Sequence, residues 1–114
     1  MKTASRKAKG RKLQQLVRDT ILAAYPQLVP DDVRSTGMGQ GGEDIMLSPA
    51  ARQVFPFKIE CKNDKRFKLV FDAYDQCKAH KASGEPIVVF KINREKPMIA
   101  LDLNYFMELL KRGS

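Results

Sequence analysis

The sequence predicts an α/β fold: a mixed central β-sheet flanked by helices. Three patterns carry that expectation. Leu13, Leu16, Val17, Ile21 and Leu22 recur at helical spacing. Phe57-Lys58-Ile59-Glu60-Cys61-Lys62-Asn63 alternates apolar and polar residues, as a strand does. Pro86 to Asn93 is nearly all apolar and rich in β-branched residues, as expected of a central strand covered on both faces.

Taken in order, residues 1–11 form a basic N-terminal arm, and 12–114 form a single domain. The arm carries Lys2, Arg6, Lys7, Lys9 and Arg11, and Lys12 follows it. Two readings of it stand: a flexible phosphate-binding arm that includes Arg11 and Lys12, or a solvated terminus. A helix from Lys12 to Tyr25 ends at Pro26, and Pro30 keeps the next segment extended. Asp31 to Thr36 reads as a short strand or extended loop, and Ser35 to Gly42 as a glycine-rich loop. Glu43 to Ser48 reads as a strand, Pro49 to Gln53 as a turn or one helical turn, and Val54 to Asn63 as a second, stronger strand. A polar connection, Asn63 to Phe67, leads into a helix over Lys68 to Lys81, with Val70, Tyr74 and Cys77 on one face. Ser83 and Gly84 close it. After the strand Pro86 to Asn93 come a turn, a strand over Pro97 to Leu103, and a last helix with Leu103, Phe106 and Leu110 facing inward.

A chain of 114 residues suffices for one core. With 43% hydrophobic and 30% charged residues, its balance is that of a globular protein, which excludes a disordered one. The net charge of +8 attracts polyanions, of which nucleic acid is the commonest. General solubility is the other reading. No apolar run can span a bilayer, so no membrane partner is expected. No apolar stretch follows the basic start, so it does not read as a secretory signal. Cys61 and Cys77 make no disulfide framework, and His80 is the only histidine. Zinc at a Cys/His site is thereby excluded, and a reducing cytoplasm is the expected location.

The chemistry centres on Glu60 and Lys62. Strand geometry puts them on one side, roughly 6.6 Å apart, with Lys58 beside them. If the preceding strand pairs with this one, Asp44 can lie beside Glu60. Two carboxylates and water oxygens suit Mg²⁺ (or Mn²⁺), which would polarise a phosphate oxygen and acidify a bound water. Lys62 would orient the water, deprotonate it, or stabilise the charged transition state; these roles stay open. Glu-x-Lys occurs once among five glutamates. A solvent-facing strand with an ordinary ion pair is the competing reading.

Gly42-Glu43-Asp44-Ile45 followed by Phe57-Lys58-Ile59-Glu60-Cys61-Lys62-Asn63 resembles the signature of PD-(D/E)XK nucleases, close to archaeal Holliday junction resolvases, VRR-NUC domains and small phage-encoded endonucleases. The likeness runs from about Lys9 to Leu103. It takes in Ser35 in the glycine-rich loop, Gln76 in the following helix and the strand from Pro86 to Lys91. It implies a restriction-endonuclease-like αβββαβ core and metal-dependent cleavage of DNA, branched or junction DNA foremost, by a homodimer. It also implies metal ligation by Asp44, Glu60 and the Cys61 carbonyl, with Gln76 supporting the site. One departure concerns the first helix. Many relatives carry a metal-binding Glu there, whereas this chain offers Gln14 or Gln15, which puts two-metal chemistry in doubt.

Other features carry less. Gly37 to Gly42 satisfies GxGxxG, but a strand rather than a helix follows it, so no dinucleotide site is expected. Glu43 should point away from Asp44 if the strand is regular. Lys58, Lys65, Arg66 and Lys68 surround the site in sequence; they contact phosphates or form a solvated basic face. His80 reads as a surface residue.

Overall fold

The computed structural model describes residues 3–36 and 43–113. They form a mixed helix-and-strand protein whose chain divides into two compact units, Met1–Asn63 and Asp64–Ser114. Most of the expected glycine-rich loop, residues 37–42, lies outside the described residues.

The first unit opens with α1 (Thr3–Ala24). Most of the segment expected as a flexible arm is therefore helical. Its Ala, Lys and Arg residues are good helix formers, and only Gly10 opposes them. The buried line of α1 runs Gly10, Gln14, Ile21, and Tyr25 just past its end is buried too. Leu16, expected to face inward, is 58% exposed. It lies on the far side of the helix from that line, so its apolar character and its packing part company. A short 3-10 turn, Pro30–Asp32, leads into β1 (Val33–Ser35). β1 pairs antiparallel with β2 (Ile45–Leu47), Val33 opposite Leu47 and Ser35 opposite Ile45. The helix α2 (Pro49–Val54) follows, with Ser48 as N-cap accepting from the Ala51 N–H and Pro49 at its start.

The core of this unit joins Ile21, Tyr25, Leu28, Val33, Ile45, Leu47, Ala51 and Phe55. Phe55 meets Tyr25 and Phe57 edge to face, with ring centroids 6.3 and 4.7 Å away. Ile45 is fully enclosed at the centre. Ile45→Ala should therefore cost about 3 kcal/mol in urea unfolding. Met46→Ala, at an exposed neighbour on the same strand, should cost under about 1 kcal/mol.

Asp32 ties the 3-10 turn to α2. Its carboxylate accepts from the Val29 N–H at 2.8 Å and the Ser48 hydroxyl at 2.7 Å. These bonds, the backbone one foremost, hold its pKa below the ordinary aspartate value. The folded state thus releases the proton more readily than the unfolded one. The resulting stability is present above the ordinary carboxyl range and lost as pH falls through the lowered value. Wild type should lead Asp32→Asn in urea midpoint at neutral pH, and the lead should shrink on acidification.

The second unit contains α3 (Lys68–Lys78), β3 (Val88–Phe90), β4 (Met98–Ala100) and α4 (Leu103–Arg112). β3 and β4 form an antiparallel hairpin with Val89 opposite Ile99. Arg94 adopts φ 71° in its turn. Asp102 caps α4 by accepting from the Tyr105 N–H at 2.9 Å.

Four expectations need correction. The described residues hold two two-stranded sheets, not one central sheet. Of Val54 to Asn63, expected as the stronger strand, Val54 closes α2 and residues 55–63 form no strand ladder. Pro56 lacks a donor, and the Cys61 N–H goes to a side chain instead of a neighbouring strand. Pro86 to Asn93 is not a covered central strand: Val89 is 64% and Ile92 72% exposed. An apolar, β-branched run sets the backbone preference but does not supply a second layer. On α4, Leu103 is exposed while Met107 is buried.

Candidate active site

Asp44 immediately precedes β2, and its backbone is held from two sides. Its N–H donates to the Ile59 carbonyl at 3.2 Å, and its carbonyl accepts from the Thr36 N–H at 3.1 Å. The Thr36 hydroxyl donates to the same carbonyl. The Asp44 carboxylate then accepts the Cys61 N–H at 2.6 Å. Asp44 thus bonds to the residues on either side of Glu60. A charge-assisted bond of this kind replaces the backbone acceptor that a sheet would have offered.

Residues 57–62 keep a period of two. Phe57, Ile59 and Cys61 are half-buried, whereas Lys58, Glu60 and Lys62 are exposed. The Lys62 ammonium lies 3.4 Å from Glu60 Oε2, with side chains 66% and 63% exposed. So exposed a pair is worth about 0–1 kcal/mol, and Glu60 can leave it for a better cation at little cost. Burial pushes the Cys61 thiol up to about 11, and the Asp44 and Glu60 charges push the same way. Burial opposes a charge of either sign, and only the two carboxylates favour a cation.

Among the described residues, no three His, Cys, Asp or Glu side chains gather into a metal-holding group. The donors on hand are two carboxylates and backbone carbonyls such as that of Cys61. That set fits a hard cation that retains water, and it does not fit zinc.

The family-model, curated-protein and solved-structure comparisons find no match.

Within the first unit Asp44 is bonded to the backbone of Ile59 and Cys61, and Lys62 lies beside Glu60. Lys58 shares the exposed face of Glu60, and Arg11 and Lys12 lie exposed on α1. Lys65, Arg66 and Gln76 belong to the second unit. Arg66 is bound to Asp64 at 2.6 Å and holds that carboxyl down to about 2. Gln76 is exposed on α3. Ser35 has a partner inside the protein: its hydroxyl donates to Gln14 Oε1 at 2.6 Å. Gln14 is 1% exposed, whereas Gln15 faces solvent. The sequence left these two glutamines equivalent, although the i, i+4 step from Gly10 to Gln14 already pointed to a shared face.

Glu43 is engaged by Arg52 of α2 at 2.6 Å, and its second oxygen is buried with no hydrogen-bond partner. This pair escaped the sequence reading because its members lie on different elements. No described helix is long and apolar enough to cross a membrane.

Proposed function

We propose that the chain is a divalent-metal-dependent endonuclease that hydrolyses phosphodiester bonds in DNA, with branched or junction DNA as the preferred substrate. One observation carries the reading: the Asp44 carboxylate sits on the Cys61 N–H, between Glu60 and Lys62 in sequence. Two acids and an amine thereby share one short stretch of backbone in a protein of net charge +8.

When bound, Mg²⁺ or Mn²⁺ supplies Lewis-acid polarisation of a phosphate oxygen and a more acidic water. Asp44 and Glu60 offer it hard carboxylate oxygens, and Cys61 offers its carbonyl. Lys62 orients or deprotonates the attacking water, or neutralises charge on the phosphoryl oxygens. Gln14 is neutral and bonded to Ser35, which favours one-metal chemistry. The fold belonging to this reading is the restriction-endonuclease-like core, although the described residues form two two-stranded sheets in place of its central sheet. The assembly is a homodimer with one centre for each strand cut, acting in the cytoplasm.

A second reading has its own support. Lys62 already neutralises Glu60, and no three-ligand group exists among the described residues. A non-catalytic nucleic-acid-binding module would look the same. Incubation with four-way junction and supercoiled plasmid DNA, with and without Mg²⁺ or Mn²⁺, separates them. Cleavage that requires the metal supports the nuclease; binding with no cleavage in either metal leaves only the binding module.

A further inference from the structure

We propose that the amino-terminal turns of α1, through Lys7, Lys9, Arg11 and Lys12, form a docking rod for duplex DNA, seated in the major groove with phosphate contacts on both strands. This deepens the reading above and rests on it for the partner's class.

Charge distribution is the first ground. The first 18 residues hold seven of the 21 Lys and Arg residues and none of the 13 acids, leaving 14 cations against 13 acids in the rest. Six of those seven cations lie in α1, against one acid, Asp19, so this single element carries +5 of the net +8. Geometry is the second. Lys7, Lys9, Arg11 and Lys12 are all exposed. Lys7 and Arg11, four residues apart, share one face, and Lys9 and Lys12, three apart, share another about 150° around the axis. An α-helix with side chains is about 10–12 Å across, and the B-DNA major groove is about 12 Å wide with phosphates along both edges. Cations on two nearly opposite faces match such a partner better than they match a single flat anionic surface.

The rod also has a firm base. Within a turn of Arg11, buried Gln14 is bonded to Ser35 on β1; about two turns beyond Gln14, Ile21 is packed in the core. Alone, the basic turns are charged against themselves. Like charges four apart oppose the helix, and the first turn has no acid to complement the macrodipole. Phosphates remove that conflict, so the helix and its ligand stabilise one another.

The test uses the full chain without metal, so that binding is read apart from cleavage. Fluorescence anisotropy measures affinity for a DNA duplex, for the RNA duplex of the same sequence and for phosphatidylserine vesicles across a salt series. Lys7→Gln/Arg11→Gln and Lys9→Gln/Lys12→Gln should each reduce the slope of log K against log salt by about 1.8 and weaken DNA binding by about tenfold. Glutamine preserves helicity, which circular dichroism verifies. Lys81→Gln, on the second unit, should leave the slope unchanged. The RNA duplex should bind about tenfold more weakly, because its major groove is too deep and narrow for a helix. Unchanged slopes in both double variants, an equal loss in Lys81→Gln, equal affinity for RNA, or a preference for vesicles would each overturn the proposal. Metal-dependent cleavage is assayed separately. Binding that behaves as stated with no cleavage removes the nuclease reading and leaves the rod, whereas the reverse removes only the rod.

Discussion

Glu60→Gln should reduce metal-dependent cleavage by about 10²–10³-fold while leaving the urea midpoint unchanged. Removing supporting partners around a metal commonly costs about 10–100-fold, and exchanging a charged ligand for a neutral amide should cost more. Stability should not move, because the Glu60 carboxylate pairs with Lys62 at an exposed site. Lys62→Ala should show the same separation of activity from stability. Lys62→Arg should not restore cleavage, since a guanidinium neither gives up its proton nor matches the compact ammonium in position. Gel assays of plasmid nicking and junction cutting read these outcomes. Full activity in either Glu60→Gln or Lys62→Ala would remove the proposed centre.

Asp44→Ala should fail in two ways at once. Cleavage should drop as far as in Glu60→Gln, and stability should also fall by about 1–3 kcal/mol, because the Cys61 N–H loses its acceptor in a half-buried setting. Asp44→Asn separates the two effects. Its amide oxygen can still accept the Cys61 N–H, so most of the stability should return. Its missing charge should keep cleavage as low as in Asp44→Ala. Urea unfolding beside the cleavage assay checks both. An Asp44→Ala protein as stable as wild type would show that the 2.6 Å contact does not hold this segment in place.

The sequence was informative wherever a property is local. Pro49 to Gln53 read as a turn or one helical turn, and α2 forms there, since a serine cap and a proline at the first helical position act within one turn. The period of two from Phe57 to Lys62 is likewise a local consequence of extended backbone, and the structure retains it even without a ladder. Long-range partners were not legible. Gln14 is buried because Ser35, 21 residues away, meets its side chain. Leu16 is exposed because the helix turns a different line toward β1. The same limit applied to Pro86–Asn93, where composition favours a strand whatever covers it, and only tertiary neighbours decide its burial. At the candidate site, the residue types were readable from the motif. The bond from Cys61 to Asp44 was not, because it depends on which acceptor a backbone donor finds.

The two units also differ in how cheaply they can open. The first encloses Ile21, Val33, Ile45 and Ala51 almost completely, whereas among the described residues of the second only Met107 is buried. Excursions that expose backbone amides cost free energy in proportion to the apolar contact they break. Deuterium uptake should therefore run fast along α3 and the β3–β4 hairpin and slow along β1 and β2, which gives this chain one rigid half and one that breathes.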